Sequence, residues 1–248
     1  MEQVKKFRAE VVKDHNGERD VLRIVTRTLD EKELVFFLKR AWKSHKKDGM
    51  ASLLRHGVVW SISRQEWENC RALESAGLKT AELAAYGEEC SALWEEFSFI
   101  LTEAIRDQPT IEEFLRGCRD AVVRRRTFDA LAREIKRMHD AGLATPDLFT
   151  RHIFVDLTQA VPQFRFIDMA RMDHAIKISR RLRVRDLAAL NITSPLRFVT
   201  ARERVRFLKV YAGTADKEFV QSIRQRTKYL LKRSKFQDFL TEGRSRAS

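Results

Sequence analysis

Paired cysteines are missing. The chain has only Cys70, Cys90 and Cys118, far apart, with no CxxC and no histidine cluster, which removes a zinc site and leaves buried free thiols as the expectation. No apolar run approaches the roughly 18 residues that cross a bilayer. The opening MEQVKKFRAEVVKDHNGERD has no apolar segment of the kind a secretory signal needs, and the expected location is the cytoplasm. Glycine and proline are sparse, 9 and 4 in 248 residues, while 44% of the chain is apolar and 33% charged. These figures argue against a disordered chain and allow one substantial core or two lobes sharing a cleft.

Acidic residues are short in one place. The whole chain has 48 Lys and Arg against 35 Asp and Glu, but Ile176 to Ser248 holds 19 of the former and 6 of the latter. Residues 1–175 are therefore balanced at 29 of each, and the net +13 lies in the last third. A one-sided field of this kind draws polyanions: nucleic acid, an anionic membrane surface or a phosphorylated glycolipid. Nucleic-acid binding would interleave aromatics with the charges. Instead Phe198, Phe207, Tyr211, Phe219, Tyr229, Phe236 and Phe239 fall largely at helix-core spacing, so no specific nucleic-acid partner is expected.

The periodicity changes along the chain. AEVVKDHNG, VLRIVTRTL and ELVFFLKR read as three antiparallel strands, turned at Asn16-Gly17 and Asp30-Glu31. After the polar connection KSHKKDGM, SRQEWENCRALESAG reads as a helix, with Trp67, Cys70 and Leu73 on one face and Gly77 closing it. EEFSFILTEA is a short strand candidate. Beyond Pro109 the texture is helical. Thr110 and Glu113 form a capping box opening TIEEFLRGC, and Phe128, Leu131, Ile135 and Met138 line one face of RTFDALAREIKRMHDAG before Gly142. IFVDL and QFRFID make a hairpin, and Arg180 to about Phe239 is helical and basic, before a tail, EGRSRAS, expected to fray.

The parts occur in an order that a kinase-like phosphotransferase requires. Lys39, at the end of the third strand, would neutralise ATP phosphates. Glu66 on the next helix would hold that ammonium, although Ser63 and Glu66 also read as a local capping box; Glu68 faces another way. Asp147, on the turn in LATPDLFTRHIFVDL, would take or orient the proton of an attacking hydroxyl. His152 stands five residues later, where protein kinases place a magnesium-binding Asn; imidazole matches hard magnesium poorly, so its alternatives are a phosphate contact, a hydrogen bond or a structural role. Asp168, in FRFIDMAR, would bind magnesium at the end of the hairpin. No GxGxxG lies in the first strands, leaving phosphate cover to the turn near Gly17 or to basic side chains. Little chain separates Asp168 from the helical pattern near Arg180, which favours a compact or lipid-linked acceptor over a peptide.

RQEWENCRALESAGL, FILTEAI, LAREIKRMHDAGL, DLFTRHIFV, FIDMAR, RVRDLAALN and ERVRFLKVY resemble, in order and spacing, the lipopolysaccharide core kinase family that phosphorylates heptose or Kdo sugars. The resemblance covers roughly residues 35–212. It implies an α+β, two-lobed protein-kinase-like fold, with a small antiparallel-sheet lobe over 1–106 and a mainly helical lobe over 107–248. It also implies ATP with Mg2+, a lipopolysaccharide core sugar hydroxyl as acceptor, and peripheral contact with the anionic inner face of the inner membrane. The site residues carried over are Asp147 as catalytic residue, Lys39, Glu66, His152 and Asp168 around the nucleotide, and Asp168 with His152 at the metal; Glu103 is a further candidate for binding the nucleotide. Thr145-Pro146 replaces the family's His-Arg before the catalytic Asp, which removes contacts that brace the loop while Pro146 restricts it in another way. A catalytically inactive module binding nucleotide or glycolipid, and a kinase for another small-molecule or protein acceptor, are the alternatives.

Overall fold

In the computed structural model, residues 1–15, 17–42, 52–53, 57–92, 94–213 and 216–232 are described. The polar connection 43–50, the tail, and the helical pattern expected beyond Lys232 lie outside them. Two compact units form: Met1–Ala72 with Thr80–Arg106, and Leu73–Lys79 with Asp107–Ser248.

The first unit is a five-stranded antiparallel sheet of order β1-β2-β3-β6-β5. Its strands are β1 (Glu10–His15), β2 (Arg19–Arg27), β3 (Glu33–Trp42), β5 (Leu83–Cys90) and β6 (Glu95–Glu103); β4 is the two-residue Lys79–Thr80. The sequence anticipates β1 to β3 and β6 but not β5, whose Gly87 and paired glutamates have weak strand propensity. Gly87 is required there: its cross-strand neighbour is Phe99, and a Cβ would stand 2.5 Å from the Phe99 ring. Successive residues of β3 face opposite ways. Arg40 donates from Nη1 to the carbonyls of Val4, Lys5 and Phe7 at 2.9–3.1 Å and thereby holds the short helix α1 (Glu2–Lys6). Its neighbour Lys39 points to helix α2 (Ile62–Ser75). The sequence places Lys39 at the strand's end, whereas β3 runs on to Trp42 in register with β2 and β6.

Helix α2 closes as its glycine predicts. Leu78 N donates to Leu73 O and Gly77 N to Glu74 O, with Gly77 at φ 76° and Leu73 and Leu78 buried, which is a Schellman cap with its apolar contact.

The second unit is mainly helical. It contains α3 (Ile111–Gly117), α4 (Ala121–Asp140), α5 (Arg180–Ile192), α6 (Ala201–Ala212) and α7 (Lys217–Leu231), with β7 (Leu143–Ala144), the hairpin β8 (Ile153–Asp156) and β9 (Gln163–Phe166), and β10 (Asp173–His174). The capping box of Thr110 and Glu113 is complete in both directions. The face read from α4 is buried: Phe128, Leu131, Ile135 and Met138. Helix α6 adds Phe207 and Tyr211, and α7 adds Phe219, Ile223 and Leu230; each such side chain contributes about 1.5–3 kcal/mol. Tyr229 is exposed, so the aromatic pattern of the basic helices is only partly core. Only Cys70 of the three free cysteines is buried; Cys90 is exposed and Cys118 intermediate, which corrects the expectation of three buried thiols.

Gly142 ends α4 under two constraints. Its φ is 81°, and a Cβ would lie 2.0 Å from Ala175 O, because Ala175 N donates to Gly142 O where β7 pairs with β10. The short stretch between Asp168 and α5 is thus tied back against the turn that carries Asp147.

Candidate active site

Lys39 and Glu66 meet within the first unit. Lys39 Nζ donates to Glu66 Oε1 at 2.7 Å, with the glutamate side chain 8% exposed and the lysine 28%. Glu66 is available because Ser61, not Ser63, caps α2: Arg64 N donates to Ser61 Oγ at 3.0 Å. The Ser63 and Glu66 capping box expected from the sequence is therefore absent, and Ser63 Oγ bonds Ser98 Oγ at 2.7 Å instead. Two strand carboxylates also meet the start of α2. Ser61 N donates to Glu88 Oε2 at 3.1 Å and Ile62 N to Glu95 Oε2 at 3.2 Å, where negative charge is favoured by the helix dipole. Burial pushes the Glu95 carboxyl above its usual range. Glu103 ends β6 half-buried, its N–H donating to Glu82 O.

Asp147, His152 and Asp168 meet within the second unit. The turn holding Asp147 is braced from below. Buried Asp186 on α5 accepts from Thr145 N at 2.7 Å and from His139 Nε2 at 3.2 Å through Oδ2, and from Arg185 Nε through Oδ1. His139 Nδ1 accepts from the Tyr211 hydroxyl at 2.6 Å, and burial pushes that phenol up to about 12, so it keeps its proton. Thr145 Oγ1 accepts from Asp147 N at 3.2 Å and donates to Arg171 O at 3.0 Å. Thr145 therefore braces the loop that carries Asp147.

His152 Nδ1 lies 3.0 Å from Asp147 O, and since a carbonyl only accepts, Nδ1 carries the proton. Nε2 then has a lone pair, which accepts from Arg151 Nε at 3.2 Å. Burial lowers the imidazole pKa, opposed mainly by Asp168, and this favours the neutral ring. Asp168 Oδ2 is 3.5 Å from Nε2, and its side chain is half exposed. Asp168 sits at φ 61°, a left-handed conformation that costs an aspartate on the order of 1 kcal/mol and sets the direction of its carboxylate.

The sequence reading missed Arg171. Its Nε donates to Asp147 Oδ2 at 2.7 Å and its Nη2 to Oδ1, a two-pronged ion pair. Both Arg171 and Asp186 lie in stretches already singled out, FIDMAR and RVRDLAALN, but their residue types alone do not separate them from surface charges.

The donor set discriminates between metals. Asp168 offers a hard, accessible carboxylate, whereas both His152 nitrogens are engaged, and no group of three or more His, Cys, Asp or Glu that could hold a metal occurs among the described residues. One carboxylate completed by substrate phosphates and water suits magnesium, which keeps several waters and rarely uses an all-protein cage.

Comparison with known proteins places these residues in context. The model of the lipopolysaccharide kinase (Kdo/WaaP) family matches residues 2–211. The chain is 32% identical over 157 residues to the lipopolysaccharide core heptose(I) kinase WaaP of Pseudomonas aeruginosa, an alignment spanning 60% of this chain and 59% of that protein. Over 186 residues it is 26% identical to WaaP of Escherichia coli K12, covering 72% and 70% of the two chains. A solved structure of WaaP in complex with acyl carrier protein superposes with a TM-score of 0.69 at 26% identity, over 92% of this chain and 91% of that one.

Proposed function

Because this chain belongs to the lipopolysaccharide kinase (Kdo/WaaP) family, we propose that it transfers the γ-phosphate of ATP to a sugar hydroxyl of lipopolysaccharide core, with a heptose as the first acceptor to test. Its fold is the α+β, kinase-like fold of WaaP. The observation that carries the reading is the pair of charge constellations in the two units: a lysine fixed by a buried glutamate, and an aspartate on a braced turn beside a second, half-exposed aspartate.

In this reading Lys39 neutralises nucleotide phosphates and Glu66 keeps its ammonium aimed. Asp147 takes the proton of the attacking hydroxyl as the oxygen bonds to phosphorus, and the electrons of the breaking P–O bond leave on ADP. Asp168 would hold magnesium, which when bound would offset charge on the phosphates. His152 is assigned to bracing: its donation to Asp147 O and the adjoining bond from Ile167 N to His152 O tie Asp147 to the strand end that presents Asp168. Glu103, at the end of β6, is a further candidate for binding the nucleotide.

The test is labelled ATP with a panel of purified core glycolipids, comparing the native chain with Asp147→Asn. Transfer should fall by about 10²- to 10⁴-fold, the range for loss of a general base. Equal transfer by both proteins, or none by either, would refute the assignment.

We further propose peripheral contact with an anionic membrane. Arg119, Arg125, Arg197 and Arg202 line one hollow of about 540 Å³ with Phe198, and Val122 and Leu196 are exposed beside it in sequence. Basic residues flanking exposed apolar ones suit a headgroup surface, each charge contributing about 1 kcal/mol. Flotation with anionic vesicles at low salt, lost at high salt, is the expected result. An acyl carrier protein, present in the solved WaaP complex, is proposed as a second partner, testable by co-elution.

A further inference from the structure

The first strands contain no GxGxxG, the loop that covers nucleotide phosphates in protein kinases. A closed hairpin stands in its place. β1 and β2 stay paired as far as His15 and Arg19, and Glu18 O accepts from Trp42 N at 2.8 Å, which fastens the hairpin's end to β3. With the backbone committed in this way, a grip on phosphate has to come from side chains on the face that carries Lys39.

The strand register identifies that face. Lys39 is directly opposite Val21, and Arg19 is opposite Ala41. Directly opposed residues share a face, as do residues two apart on a strand. Arg19 therefore stands on the Lys39 face, diagonal to it at about 7–8 Å, a separation that long side chains bridge. Two contacts check the assignment. Ser98, opposite Ala41, bonds Ser63 on α2, the helix that also receives Lys39. Asp20, next to Arg19, pairs instead with Arg40 on the other face, beside α1. Arg23 on the same strand pairs with Glu10, and Glu95 is engaged by Ile62 N and the Ser98 hydroxyl. Arg19 is half-buried and, among the described residues, makes no ion pair, although its charge reaches Glu95 and opposes the effect of burial there. A guanidinium partly withdrawn from water without a bound acid destabilises the fold until an anion meets it, and its fork fits phosphate oxygens.

We propose that Arg19 is a nucleotide-phosphate ligand, which does the work of a glycine-rich loop by gripping the di- or triphosphate tail together with Lys39. Glu66 fixes the lysine, and the hairpin end brings the second cation. This inference rests on the reading that the chain binds ATP. Lys13, which is also opposite Val21 but exposed, provides a control for charge without contact.

The experiment measures binding by equilibrium dialysis of the full chain, in magnesium buffer, against labelled ATP, ADP and adenosine. Arg19→Ala should weaken ATP and ADP by about 10- to 100-fold, as expected for loss of a charge-assisted hydrogen bond, and leave adenosine unchanged. Arg19→Lys keeps the charge without the fork and should recover part of the loss. Lys13→Ala should change ATP affinity little. Arg19→Gln, which retains the side chain's stem, replaces the alanine variant if that one does not fold. Undiminished ATP binding by Arg19→Ala would overturn the proposal. So would an equal loss for adenosine, which would make Arg19 a prop of the sheet, or an equal loss in Lys13→Ala, which would reduce its effect to general positive charge. A native chain that binds no ATP would bring down the nucleotide reading and this inference together, whereas each of the other adverse results removes the role of Arg19 alone.

Discussion

The candidate site has an ion pair between a carboxylate and a cation in each unit, Lys39 with Glu66 and Arg171 with Asp147, and the two are built differently. Lys39 and Glu66 project from the middle of a strand and from the second turn of a helix whose start is held by Ser61, Glu88 and Glu95. Both partners are largely covered, and neither element can shift without breaking sheet or cap hydrogen bonds. Asp147 and Arg171 both lie on irregular backbone, and the cation is the exposed partner. The first pair is thus preorganised to keep one geometry, as a phosphate-binding lysine requires. The second joins a nearly buried carboxylate to a guanidinium that solvent reaches. Burial therefore separates a pair shielded from solvent from a pair held at its edge.

The comparison is most easily broken at Lys39. Replacing it with Met should lower kcat/KM for ATP by about 10²- to 10³-fold, the range for removing one preorganised charge-stabilising donor. Glu66→Gln retains a hydrogen-bond acceptor for Lys39 and should cost roughly tenfold. Initial-rate kinetics at varied ATP would show it; equal effects of the two changes would mean the pair is structural. Thr145→Val comes next. It leaves the Asp147 N–H and the Arg171 carbonyl without their hydroxyl partner, at about 1–3 kcal/mol of stability, and should lower kcat more than it alters the KM of ATP. Urea unfolding and steady-state kinetics on the same protein test both halves.

Much of the frame was legible because it rests on periodicity. The strands β1 to β3, the apolar face of α4, the Thr110 capping box and the glycine closing α2 each follow from local rules that tertiary packing did not override. What escaped notice depends on contacts between residues distant in sequence. β5 is built on Gly87, unfavourable in a strand until Phe99 lies across it. The cap of α2 moved from Ser63 to Ser61 because Ser98 takes the Ser63 hydroxyl. Arg171 and Asp186 belong to loop and helix positions where a charged residue is unremarkable, and only the turn around Thr145 gives them work. The Thr145-Pro146 departure read as a loss from the sequence, because nothing local reveals that a threonine hydroxyl can bridge Asp147 and Arg171.

The smallest expected effects give the two units opposite responses to pH. Glu95 has a folded-state pKa above its unfolded value of 4.5, through burial. Its contribution to stability is therefore present below that value and lost as pH rises through the folded pKa. His152 has a folded-state pKa below 6.5, again through burial, and its contribution is present above 6.5 and lost as pH falls through the folded pKa. Neither Gln titrates, so Glu95→Gln should gain on the native chain as pH rises from acid to neutral. His152→Gln should fall further behind over the same rise. The expected differences are changes in Tm of opposite sign for the two variants as pH rises. Thermal unfolding of the three proteins at pH values on either side of both windows measures it. Parallel curves would mean that the buried acid beneath α2 and the imidazole beside Asp147 do not set the charge balance of their units.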